Sequence, residues 1–145
     1  MQGADVELQC PQQWTTHGTN TLTCSIRATR FTPEVCSGQL TNVVDFVFSN
    51  TGTRGSTECT VTDFRTSCES RTSSACRCKE LSDGQYVLEY KVPVKNKRRY
   101  EGGSWECQVT CLDRNLKPQL SSSASDSCSG VKFDDGRHSK YTVQQ

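Results

Sequence analysis

Gly102-Gly103-Ser104-Trp105-Glu106-Cys107-Gln108-Val109-Thr110-Cys111 is the stretch whose reading decides the fold. With the two-residue period of a β-strand, Trp105, Cys107, Val109 and Cys111 share one face and Ser104, Glu106, Gln108 and Thr110 the other. The alternation has no exception from Ser104 to Cys111, which is the pattern of a half-buried strand. An aromatic ring two residues before an inward-facing cysteine indicates a disulfide packed against that ring between two facing sheets.

The same period recurs on both sides. Val6, Leu8 and Cys10 alternate with polar residues and stop at Pro11, as in a first strand at a sheet edge. Gln12 to Asn20 reads as polar, with Gly18 and Asn20 as turn formers. Leu22, Cys24 and Ile26 share a face of the second strand. Val44, Phe46 and Phe48 share a face of the most hydrophobic run. Thr60 to Phe64 predicts a short strand. Tyr86, Leu88, Tyr90, Val92 and Val94 form another inward set, with Pro93 marking a strand end or an edge. Ser121 to Ser127 is low in complexity and is expected to be mobile; Cys128 and Val131–Phe133 can form a last strand. No segment carries a strong helical period. Six or more short strands separated by turns predict an all-β antiparallel sandwich.

The chain has 145 residues, enough for one domain with a core, but only 32% of it is hydrophobic. Ten cysteines, an even number, imply a disulfide framework made in an oxidising compartment. Each bridge typically adds ~2–4 kcal/mol, so five could offset a modest core. The expected location is secreted or extracellular. Met1–Asp5 carries no apolar signal core, so a leader is expected to have been removed. The net charge of +1 gives no global field towards nucleic acid, and no apolar run is long enough to insert in a membrane.

Leu22-Thr23-Cys24-Ser25-Ile26, Val44-Asp45-Phe46-Val47-Phe48 and Gly103-Ser104-Trp105-Glu106-Cys107-Gln108-Val109 together resemble an immunoglobulin-superfamily domain. The resemblance implies a disulfide between Cys24 in strand B and Cys107 in strand F, with Trp105 and Phe46 packed beside it. Trp105 stands where a tyrosine is usual, and strand C has Phe46 where tryptophan is usual. The resemblance places the domain at residues 1–133, with a Cys-rich insertion at about 53–80 and a tail or linker at 134–145. Trp-x-Cys-x-x-x-Cys and the extra cysteines are similar to immunoglobulin-like domains of mollusc fibrinogen-related immune lectins.

Catalysis and metal binding find little support in the residues. His17 and His138 lie in polar segments near the ends, all ten cysteines are expected in bridges, and no Gly-x-Ser-x-Gly occurs. No Cys-x-x-Cys pair suggests zinc, and Cys76 and Cys78 are too close to bridge each other, so each should pair elsewhere. No enzyme, cofactor or metal is expected. One patch stands out: Lys91, Lys95, Lys97, Arg98 and Arg99, flanked by Tyr90 and Tyr100. Lys95, Lys97, Arg98, Arg99 and Tyr100 are the candidate binding residues, in a basic turn suited to a glycan or protein ligand of acidic character. The loops Ala28–Asn42 and Thr53–Lys79 are further candidates for contact. The expected function is non-enzymatic recognition, adhesion or spacing within a larger secreted or surface protein, with other domains attached. A Cys-rich secreted effector, such as a protease inhibitor or toxin-like ligand, is the alternative.

Overall fold

The computed structural model describes residues 6–27, 41–50, 55–62, 76–82, 84–112, 115 and 118–133; at 41, 42, 82 and 118–123 only the backbone is described. Among the described residues eight strands follow one another: β1 (Val6–Gln9), β2 (Asn20–Arg27), β3 (Thr41–Ser49), β4 (Ser56–Thr62), β5 (Cys76–Ser82), β6 (Gln85–Val92), β7 (Ser104–Leu112) and β8 (Pro118–Ser129). They form two four-stranded antiparallel sheets, ordered β1-β2-β6-β5 and β4-β3-β7-β8. The protein is an all-β sandwich.

The period-2 sets meet face to face. In the first sheet Leu22, Cys24 and Ile26 stand opposite Tyr90, Leu88 and Tyr86. In the second, Val44, Phe46 and Phe48 stand opposite Val109, Cys107 and Trp105. All twelve are buried. β1 lies at an edge, where Pro11, just beyond it, removes no ladder hydrogen bond. β6 ends at Val92, one residue before Pro93.

Three bridges between described residues each join one sheet to the other. Cys24 of β2 pairs with Cys107 of β7 through the middle, with Cα atoms 6.4 Å apart. Cys10, just past β1, pairs with Cys128 of β8 along one open side. Cys59 of β4 pairs with Cys76 of β5 along the other. Cys78 and Cys111 are also disulfide-bonded, and no cysteine among the described residues is free. Cys36 and Cys68 lie outside the described residues. The stretch 53–80 therefore supplies an edge strand to each sheet, and Cys59–Cys76 ties those two edges together.

Three local expectations are corrected. Ser121–Ser127 is part of β8 and not a mobile segment. Ala124, Asp126 and Cys128 turn half-buried towards the interior while Ser125, Ser127 and Ser129 face solvent, so small polar residues suffice on an outward face. Asp126 Oδ2 also accepts a hydrogen bond from the Leu8 amide at 2.8 Å, linking β8 to β1. Asn20 is the buried first residue of β2 rather than a residue within the turn, which its side chain closes from the strand. Its side chain accepts from the Thr15 amide at 2.8 Å and donates to the Thr15 carbonyl at 2.7 Å. A single helical turn, α1 (Lys97–Tyr100), occupies the basic segment read as a turn. The tail 134–145 with His138, residues 28–40, and 53–54 and 63–75 of the second candidate loop lie outside the described residues.

Candidate functional site

Trp105 sits at the centre of the sandwich, fully buried, in register with Phe48 of β3 and Cys128 of β8. Aromatic rings surround it. Trp14 and Tyr100 lie nearly parallel to it, with centroids at 6.1 and 6.0 Å, and Tyr90 meets it edge-on at 5.9 Å. Phe48 lies tilted at 4.9 Å. The indole Nε1–H is buried and has no hydrogen-bond partner among the described residues. The neighbouring ring faces are weak acceptors at best. Phe46 is fully buried in the next strand, between Cys107 on one side and Cys59 on the other, and packs on Tyr90 at 5.8 Å.

This aromatic cluster holds the basic segment in place. Asn96 caps α1 by accepting a hydrogen bond from the Arg98 amide at 3.1 Å. Asn50 donates to the carbonyls of Arg99 and Glu101 at 3.0 and 3.3 Å and so satisfies the other end. Gly102 turns the chain at φ +83°, a region an L side chain enters only with strain. Gly103 packs against the Phe48 ring: a Cβ there would overlap the ring and come within 2.8 Å of the Ser49 carbonyl oxygen.

The predicted binding residues separate into two groups. Tyr100, read as a flanking contact residue, is buried, because its ring is part of the Trp105 cluster. Arg99 is committed internally. Its guanidinium bonds Glu58 at 2.5 Å, Ser56 Oγ at 3.3 Å and the Tyr100 hydroxyl at 3.1 Å, and lies 5.0 Å from the Tyr100 ring centre. Lys97 approaches Glu101 at 3.9 Å. Lys91, Lys95 and Arg98 are exposed, and among the described residues no ion pair engages them. Burial is the main reason the Tyr100 phenol is pushed up. Burial first, then the Glu58 carboxylate, pushes the Tyr90 phenol up to about 12. Both phenols stay neutral at physiological pH and serve as hydrogen-bonding and packing groups.

Pro93, Lys95, Asn96, Arg99, Tyr100 and Glu58 line an open groove of about 280 Å³ beside the end of β6. Lys95 and the amide of Asn96 can offer donors to an anionic group, and the Arg99–Glu58 pair forms a fixed polar wall. A second open groove, about 180 Å³, lies at the other end of β6 near Gln85 and the exposed Leu81. Among the described residues no cluster of His, Cys, Asp or Glu is arranged to hold a metal, and no helix is long and apolar enough to cross a membrane.

Sequence reasoning missed Trp14 and Glu58. Trp14 stood in a segment read as polar, yet it is 2% exposed and stacked on Trp105. An isolated tryptophan among polar residues was the available signal. Glu58 carried no local signal, because its partner Arg99 is 41 positions away. No protein-family model matches the chain, and no curated protein matches it.

Proposed function

We propose that this chain is an immunoglobulin-type sandwich acting outside the cell as a non-enzymatic recognition or adhesion module of a larger secreted or surface protein. The innate-immune setting comes with the resemblance to mollusc fibrinogen-related lectins. The observation that carries the reading is the strand order taken with the central bridge. In an immunoglobulin domain, A, B, E and D form one sheet and C, F and G the other, often with C′ added, and the disulfide joins B to F. Lettering the strands here in chain order turns β1-β2-β6-β5 into A-B-E-D and β4-β3-β7-β8 into C′-C-F-G. Cys24–Cys107 then joins B to F. The bridges Cys10–Cys128, Cys24–Cys107 and Cys59–Cys76 support an oxidising, extracellular setting.

The ligand on this reading is acidic, a sulfated glycan or an acidic protein face, received by Lys95, which lines the groove, and by Arg98, exposed on the adjoining helical turn. The test is retention on immobilised heparin across a salt gradient. The wild-type protein is expected to bind and to elute as salt screens the contact. A Lys95→Glu/Arg98→Glu variant is expected to bind at least about tenfold more weakly with unchanged melting temperature, since both side chains are exposed. Equal retention of the two proteins, or none by either, rejects the groove as an anionic site. A protease panel separates the module from an inhibitor, because the module leaves every protease active.

A further inference from the structure

The position of Cys10–Cys128 bears on how the protein responds to tension. Cys10 follows β1 directly and Cys128 lies near the end of β8. The two are 118 positions apart in sequence, and their Cα atoms are 6.6 Å apart. β1 and β8 are edge strands of different sheets. Nearly the whole sandwich hangs inside the covalent loop, including Cys24–Cys107 and Cys59–Cys76. Of the buried core residues among those described, only Val6, Leu8, Val131 and Phe133 lie outside it.

We infer that this domain is a tension-carrying link in which force passes through the Cys10–Cys128 bond and bypasses the folded body. A pull on the preceding chain reaches Cys10, crosses one disulfide to Cys128, and leaves along the following chain. Residues between those points feel no tension from the ends. The loaded domain therefore contributes only the short Cys10–Cys128 span to the length of the tether, and its body hangs beside the line of force.

What can yield lies outside the loop. β1 has four residues, held to β2 by the register Val6↔Ile26 to Gln9↔Thr23. On the other side, the Trp14 amide donates a hydrogen bond to the Lys132 carbonyl at 2.9 Å, and Trp14 forms a β-bridge with Phe133, so the returning chain is held there. Peeling these short ends releases roughly 30 Å at about 3.3–3.6 Å per residue. Without any bridge, opening the whole loop would release roughly 400 Å. The groove beside β6 lies inside the loop and keeps its shape under load.

The inference rests on the reading of this chain as one module of a longer protein, but the two fail separately, because the clamp is measured on the module alone. The experiment is optical-tweezer stretching of the oxidised protein between handles attached at its ends. An extension of at most roughly 30 Å followed by a stop is expected. Adding dithiothreitol to the same molecules should lengthen the release to roughly 400 Å. A Cys10→Ser/Cys128→Ser variant should release roughly 120 Å more than the oxidised wild type and stop at Cys24–Cys107, which spans 83 positions. A release of roughly 100 Å or more from the oxidised wild type overturns the inference. Should the variant fail to fold, the comparison with and without dithiothreitol decides the matter.

Discussion

The indole of Trp14 lies 8° from parallel to that of Trp105, with ring centroids 6.1 Å apart. Trp14 is not part of any strand; it is held by the hydrogen bond its amide donates to the Lys132 carbonyl and by the tilted ring of Phe133 at 6.0 Å. A residue from the first turn of the chain thus closes the core against its last described segment. Truncating it opens a large cavity beside Trp105. Trp14→Ala is expected to cost ~3–5 kcal/mol in urea denaturation. A loss below about 1 kcal/mol would show that the stack does not contribute to the core.

Gly103 has no room for a side chain. A methyl group there meets the Phe48 ring and the Ser49 carbonyl. The ring cannot retreat, because Tyr100 and Trp105 pack on it at 4.9 Å each. Gly103→Ala is expected to lower stability by ~1–3 kcal/mol. Gly102→Ala is also expected to destabilise the protein, but through backbone strain, since open space surrounds that position. Thermal melts of the two variants check both, and an unchanged melting point for Gly103→Ala would contradict the close approach.

Asp45 points outward from β3 yet is partly buried, and this desolvation raises its carboxyl above the ordinary range despite a hydrogen bond donated by Thr60 Oγ1 at 2.7 Å. A raised native pKa favours folding while the carboxyl is protonated in both states. That contribution is lost as pH rises through the native value. At neutral pH the charged carboxylate is therefore a net cost. Asp45→Asn keeps an acceptor for Thr60 and is expected to raise the melting temperature at pH 7. The gain should shrink as pH falls below about 4, near the unperturbed carboxyl value. An equal gain at both pH values would point to a cause other than ionisation.

Arg99 contributes by stacking as much as by charge. The Arg99–Glu58 pair is part-exposed on the arginine side, so its ionic part is worth at most about 1 kcal/mol. Glu58→Gln should therefore cost little. Arg99→Ala also removes the guanidinium from the Tyr100 and Phe48 rings, at 5.0 and 6.0 Å. It is expected to cost more than Glu58→Gln, and Arg99→Lys should fall between them. Denaturant titration of the three variants gives the ranking. If Arg99→Lys behaves as wild type, the planar stack contributes nothing.

The β-sandwich was legible because alternation is a local property. Leu22-Cys24-Ile26, Val44-Phe46-Phe48 and Trp105-Cys107-Val109 each carry their inward face in the chain itself, and pleated backbone turns that into a buried side. β8 was not legible, because serines at 121, 122, 123, 125 and 127 have no hydrophobic period. Pairing with β7 and the Asp126–Leu8 contact make that segment a strand. The basic groove was half legible. The cluster of Lys and Arg is written in order along the chain, but which of them face solvent is not.

The sequence by itself determined a pleated, disulfide-rich, two-faced chain with an aromatic beside a central cysteine. Only the tertiary structure decided that Tyr100 turns inward, that Arg99 is taken by Glu58, and that Cys10 meets Cys128. Those outcomes join residues 41 to 118 positions apart, or depend on such contacts, and are selected by the packing of two sheets rather than by any short-range pattern. Period and composition act within a few residues; which distant edges meet is settled by the burial of both inner faces at once.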